Sequence, residues 1–188
     1  MNREVLWYAT RGAGAVSLVL LSGVVVLGLL SRLRVEGGSW PRFMTAALHR
    51  NFSLLALAFL AVHVTTAVVD PFTHLGLVAA TVPFGSGYRT FWLGLGTLSL
   101  QVTLAVILSS ALRPLIGPSR WRSLHWLAYA AWPIAVAHGL GTGTDTTSSW
   151  MAGMTVVCVA SVVVVAIWRL AGAPADPLGR YKQPLVDR

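Results

Sequence analysis

Residues 48–63 read LHRNFSLLALAFLAVH, and residues 124–139 read LHWLAYAAWPIAVAHG. Each stretch is apolar, begins on Leu-His and has a second histidine near its far end. His49 and His63 lie 14 residues apart, and His125 and His138 lie 13 apart. An imidazole inside a membrane segment is costly and marks a functional position. Two matched pairs point to two stacked metal centres, each gripped between two helices.

The chain around these stretches belongs in a bilayer. Of its 188 residues 55% are hydrophobic and only 11% are charged, too few charges to cover a soluble domain. The net charge of +8 arises from basic residues between apolar runs, a membrane pattern that excludes nucleic acid as a partner. The single cysteine, Cys158, permits no internal disulfide and reads as a small apolar helix residue. No C-x-x-C-H is present, so a haem would not be attached in the c-type manner.

A helical crossing takes about 20 mostly apolar residues. Five segments qualify: 7–33, 43–69, 91–112, 121–140 and 150–170. The expectation is an all-α integral membrane protein, a bundle of five transmembrane helices. The apolar core of the first segment, 13–30, is too long for a signal peptide and lacks an A-x-A site, so it reads as a retained anchor. Eleven basic residues fall on one side: Arg32, Arg34, Arg42, Arg50, Arg113, Arg120, Arg122, Arg169, Arg180, Lys182 and Arg188. Three (Arg3, Arg11 and Arg89) fall on the other. The positive-inside rule then puts the N-terminus outside and the C-terminus in the cytoplasm of a multi-pass cell-membrane protein. Residues 1–172 form the membrane domain and 173–188 a short cytoplasmic tail. Residues 70–90 are too short and polar for a further span. They are expected along the outer interface, with His74 there as a solvated loop histidine or a contact to an external partner.

Segments two and four both run outward, so His49 and His125 share the inner level and His63 and His138 the outer. At 1.5 Å per residue the two levels stand roughly 20 Å apart. A step of 14 returns to within about 40° of the starting face, whereas a step of 13 in a straight helix is about 140° off. Pro133 can kink the fourth segment and alter that phase. Zinc would require four ligands in one place, and a carboxylate-bridged di-iron site requires acids within the bundle. All six acids fall at segment ends or in tails, which also argues against a proton relay. The rival reading is buried histidines hydrogen-bonded between helices. Two axial imidazoles per planar haem fit the pattern better, and a six-coordinate iron is left with outer-sphere electron transfer. Arg50, Arg120 and Arg122 are candidates for inner propionates, with Arg89 preferred over Arg11 at the outer level. Trp132, at mid-depth, is a candidate to pack between the haems, or an ordinary packing tryptophan.

The two histidine stretches, with ATRGAGAVSLVLLSGVVVLG (9–28) before them, resemble the ferric reductase-like transmembrane domain, the haem-binding core of ferric reductases and NADPH oxidases. The similarity runs over about residues 5–170. It implies that His49, His63, His125 and His138 are axial ligands of two b-type haems, inner His49/His125 and outer His63/His138. Complete reductases of that family continue into FAD- and NADPH-binding domains. Here only 18 residues follow the last span, and Gly94-Leu95-Gly96 lies in a membrane helix without the strand–turn–helix setting of a dinucleotide site. The chain is similar to small bacterial members that work with separate partners. A di-haem cytochrome b is expected, carrying electrons between a cytoplasmic flavoprotein or quinol and an extracytoplasmic acceptor. Alternatives are a stand-alone membrane oxidoreductase acting on superoxide, quinone or ferric iron at a haem edge, and a haem-free transport or assembly subunit.

Overall fold

A computed structural model describes residues 3–33, 42–71, 75–143, 145 and 148–171. The elements are α1 (Arg3–Leu33), α2 (Arg42–Val69), α3 (Gly76–Thr81), α4 (Thr90–Ala111), α5 (Arg113–Ile116), α6 (Pro118–His125), α7 (Ala128–Thr142) and α8 (Ser149–Ala171). No strand occurs among the described residues. Four helices (α1, α2, α4 and α8) are long and apolar enough to span a membrane. In the apolar stretch of α2 only 6% of the residues are buried. Such a helix, apolar on its outside, needs lipid rather than water as its solvent. His74 and the tail 173–188 lie outside the described residues.

The expected fourth span is where the structure departs from a simple reading. Residues 121–140 fall on two helices, α6 and α7, joined at Trp126–Leu127. Three hydrogen bonds there span one residue fewer than in an α-helix. The N–H groups of Leu127, Tyr129 and Ala130 donate to the carbonyls of Leu124, Trp126 and Leu127 at 3.0–3.1 Å. This i→i+3 pattern turns the chain faster than an α-helix, so His125 and His138 do not share the phase of one straight helix. The joint precedes Pro133, which sits inside α7.

Contacts between helices fix their directions. Along α1 and α2, Thr10 meets Thr66, Gly14 meets His63, Gly23 meets Phe52 and Gly28 meets His49. One series climbs as the other falls, so the two helices are antiparallel. The same reversal relates α4 and α7, through Arg89 to Gly141 and Ser99 to Ala131. Small residues at these crossings let the backbones approach, and hydroxyls supply the polar contacts. Ser99 Oγ, for example, donates to the Ala131 carbonyl at 2.9 Å.

A small apolar core of Val25, Leu29 and Val162 ties α1 to α8, with Tyr129 and Trp132 of α7 packed against it. Cys158 is buried in α8 with a free thiol, in keeping with its reading as a small apolar residue. Between α5 and α6, Gly117 has φ 81° and ψ 160°. Only glycine adopts that region without strain, and Pro118 then starts α6 at a position where no N–H is required. This corner folds α5 back onto α6.

Candidate functional site

All four membrane histidines are brought together in the two expected pairs. The rings of His49 and His125 have centroids 6.2 Å apart at an interplanar angle of 58°. Those of His63 and His138 are 6.3 Å apart at 81°. An imidazole nitrogen binds a transition metal at about 2.0–2.1 Å, and the ring centre lies roughly 1.1 Å further on. Two imidazoles on opposite sides of one metal ion therefore have centroids about 6.2–6.4 Å apart. Both pairs fit that span, which is too long for a hydrogen bond in which one ring nitrogen donates directly to the other.

Three of the imidazoles are seated in one way. His63 Nδ1 is 2.8 Å from the Thr10 carbonyl, His49 Nδ1 is 3.1 Å from that of Val24, and His138 Nδ1 is 2.9 Å from that of Trp92. A carbonyl can only accept, so each Nδ1 carries the proton and each Nε2 keeps its lone pair. That is the second-shell arrangement that orients a metal-ligating histidine.

The seats share a sequence rule. Four residues after each accepting carbonyl stands a glycine: Gly14 after Thr10, Gly28 after Val24 and Gly96 after Trp92. A helical carbonyl points toward residue i+4, so an outside donor reaching it must pass over that residue. A Cβ at Gly14 would lie 2.9 Å from His63 Nδ1, and one at Gly96 would lie 2.5 Å from His138. At Gly28 the distance to His49 is 3.5 Å, an ordinary contact. The signal was present in the sequence: Gly14 and Gly28 are 14 apart, the spacing of His49 and His63 on the antiparallel neighbour. Gly96, dismissed as part of a nucleotide motif, does lie in a membrane helix, and there it seats His138.

His125 makes a different kind of contact. Its ring lies against that of Trp121, one turn earlier in α6, with centroids 4.9 Å apart and a tilt of 32°. The i, i+4 spacing of Trp121 and His125 is the sequence signal that could have singled out Trp121.

His63 and His138 also line a partly open cavity of about 110 Å³. Its walls come from α2, α4 and α7 and are mostly apolar, as cofactor pockets are. Leu75, Ala79 and Ala80 close it from the α3 side. Thr97 Oγ1 donates to the Ala79 carbonyl at 2.6 Å and Gln101 Nε2 to the Thr81 carbonyl at 2.7 Å, which pins α3 to α4. The segment after α2 therefore carries a short helix with exposed Leu77, Val78 and Val82 and an inner face against the cavity.

The basic candidates divide. Arg50, Arg120 and Arg122 are exposed, and no ion pair engages them among the described residues. Arg89 donates from Nη1 to the Gly141 carbonyl at 2.7 Å, tying the start of α4 to the end of α7 three residues beyond His138. Arg11, set aside in favour of Arg89, lies on α1 beside Thr10, where it forms an ion pair with Asp145 and stands 4.1 Å from the Trp7 ring centroid. Trp132 is half-buried and donates from Nε1 to Ser22 Oγ at 2.9 Å, which is a packing role between α1 and α7.

Among the described residues no three His, Cys, Asp or Glu side chains gather around one point. Each pair thus offers a metal two protein ligands, and the rest of its coordination would come from another group. Compared with known proteins, the chain matches no family model, no curated protein and no solved structure.

Proposed function

We propose that this chain is a di-haem b-type cytochrome of a bacterial cytoplasmic membrane, similar in plan to the ferric reductase-like domain. The observation that carries the reading is the repeated imidazole separation, 6.2 and 6.3 Å at opposite ends of α2. One such pair is a coincidence of packing; two, joined to three seats that leave Nε2 available, are what bis-histidine ligation of two planar groups requires. His49 and His125 would hold one haem, and His63 and His138 the other. The cavity beside His63 and His138 has the apolar lining that a macrocycle would meet.

The same pairing supports five crossings. His49 and His63 climb α2 in the order in which His125 and His138 climb α6 and α7, so the joined pair runs parallel to α2. Residues 118–142 reach about 37 Å at 1.5 Å per residue, enough to cross a bilayer core of about 30 Å. With five crossings the basic bias of the loops favours an external N-terminus and an internal C-terminus. His49/His125 is then the inner level and His63/His138 the outer.

Haems bound in this way supply one-electron transfer through their edges, with no coordination position left for substrate. The chain's own task is to hold each imidazole in the correct tautomer, to exclude water from the iron and to keep the two centres in separate leaflets. A cytoplasmic flavoprotein or quinol would serve as donor and an extracytoplasmic species as acceptor. Reduced-minus-oxidised absorption spectra with haem quantitation test this. Two low-spin haems per chain are expected, falling to at most one in His63→Ala and in His125→Ala. A haem-replete preparation without a haem signal, or with one haem that neither change removes, overturns it.

A further inference from the structure

We propose that Trp121 is the positioning residue of the inner ligand His125, and that Arg113, held on the same indole, raises the reduction potential of the inner site. The proposal rests on the di-haem reading above and extends it to two residues that reading does not use.

Trp121 is fixed from three directions. Its ring lies against His125, centroids 4.9 Å apart and tilted by 32°, a pairing that follows from their i, i+4 spacing on α6. Its Nε1 donates to Ser110 Oγ of α4 at 3.2 Å. The Arg113 guanidinium carbon stands 4.4 Å from the Trp121 ring centroid, within the range of a cation–π contact. The Gly117 corner makes this possible, since it turns α5 back and brings Arg113 over α6. The chain of contacts is Arg113, Trp121, His125 and then His49.

A membrane-interface tryptophan beside a positive-inside arginine is common, and in that role it faces the headgroups. Trp121 instead is half-buried, is hydrogen-bonded into the neighbouring helix and lies against the ligand ring. Rotation of the His125 ring would have to displace the indole. Reduction of a ferric centre removes one positive charge, so a nearby cation favours the reduced form. Among the described residues no ion pair offsets Arg113, whereas Arg11 near the outer level is paired with Asp145.

Potentiometric titration and low-temperature EPR of the full chain, followed optically through both haems, provide the test. Each substitution is placed in two backgrounds, His63→Ala, which retains the inner haem, and His125→Ala, which retains the outer. In the first, Arg113→Gln lowers the midpoint potential of the remaining haem; in the second it leaves the midpoint where it was. Trp121→Ala shifts the low-spin EPR signal of the inner haem, and Trp121→Phe, which keeps a stacking ring, restores it. If Arg113→Gln leaves the inner midpoint unchanged, or moves both midpoints alike, the proposal is overturned even should Trp121→Ala fail to assemble. Absence of haem from the unsubstituted chain would instead remove the di-haem reading beneath it.

Discussion

The histidine pair proposed as outer is held by backbone, and the pair proposed as inner partly by side chains. His63 and His138 both donate to helix carbonyls at 2.8 and 2.9 Å, and both press against glycines with no room for a methyl group. At the inner level His49 has a longer carbonyl contact of 3.1 Å and an uncrowded glycine, while His125 leans on Trp121. Helix backbone barely yields, whereas an indole and a guanidinium can be replaced or moved. On the proposed di-haem reading, one protein would carry a rigid centre and an adjustable one, built from the same ligand type. The rings of His63 and His138 are near-perpendicular (81°), and those of His49 and His125 lie at 58°.

Alanine at the seating glycines is the strongest way to break this contrast. At Gly96 the new Cβ would stand 2.5 Å from a ring that the Trp92 carbonyl already pins, so the ring must leave its seat. Gly96→Ala is expected to lose the outer haem, halving haem per chain, and Gly14→Ala to lose part of it. Gly28→Ala, with 3.5 Å available, should retain both haems. Haem quantitation on the three variants decides the matter, and a loss at Gly28 equal to that at Gly96 would erase the distinction between the two levels.

A smaller effect is expected from the ion pair beside the outer seat. Arg11 is 16% exposed and Asp145 36%, so solvent screening limits the value of their attraction to about 1 kcal/mol. Asp145→Asn leaves Arg11 on Trp7 without its counter-charge, one residue from the carbonyl that seats His63. Thermal release of the outer haem should begin a few degrees earlier, by about 4–8 °C per kcal/mol in a small domain and less in one of this size. The inner haem should be released as before. Equal movement of both release temperatures would show that the pair stabilises the bundle as a whole.

How much of this was legible in the sequence follows from what each signal measures. Hydropathy counts apolar residues over a whole crossing, so the pairing of the histidines and four of the five expected spans could be read directly, while the other, 121–140, falls on α6 and α7. The rotation between His125 and His138 could not. It depends on three hydrogen bonds at 124–130 that shift from i+4 to i+3, a local choice that leaves no mark in composition. Pro133 was the visible candidate, and the joint lies before it. The glycine seats were half legible: the spacing of 14 between Gly14 and Gly28 copies that of the histidines, but its meaning requires knowing that α1 runs antiparallel to α2. Arg11 and Arg89 were visible as outer cations, but only the fold shows one paired to Asp145 and the other capping Gly141.

Trp132 gives the smallest effect and the cleanest separation of two roles. Placed at mid-depth, it invites a part in passing electrons between the two levels. Its geometry points to packing: Nε1 donates to Ser22 Oγ, and the ring lies against Val25, Leu29 and Val162 on the α1–α8 side. Trp132→Phe removes one hydrogen bond, and Ser22 keeps its own donation to the Leu18 carbonyl at 2.7 Å, so no buried hydroxyl is stranded. The cost should be about 1 kcal/mol of stability. Haem content, both midpoint potentials and the rate of electron exchange between the haems should stay at wild-type values. A slowed exchange with both potentials unchanged would place the indole in the electron path and give the middle of the bundle a role beyond packing.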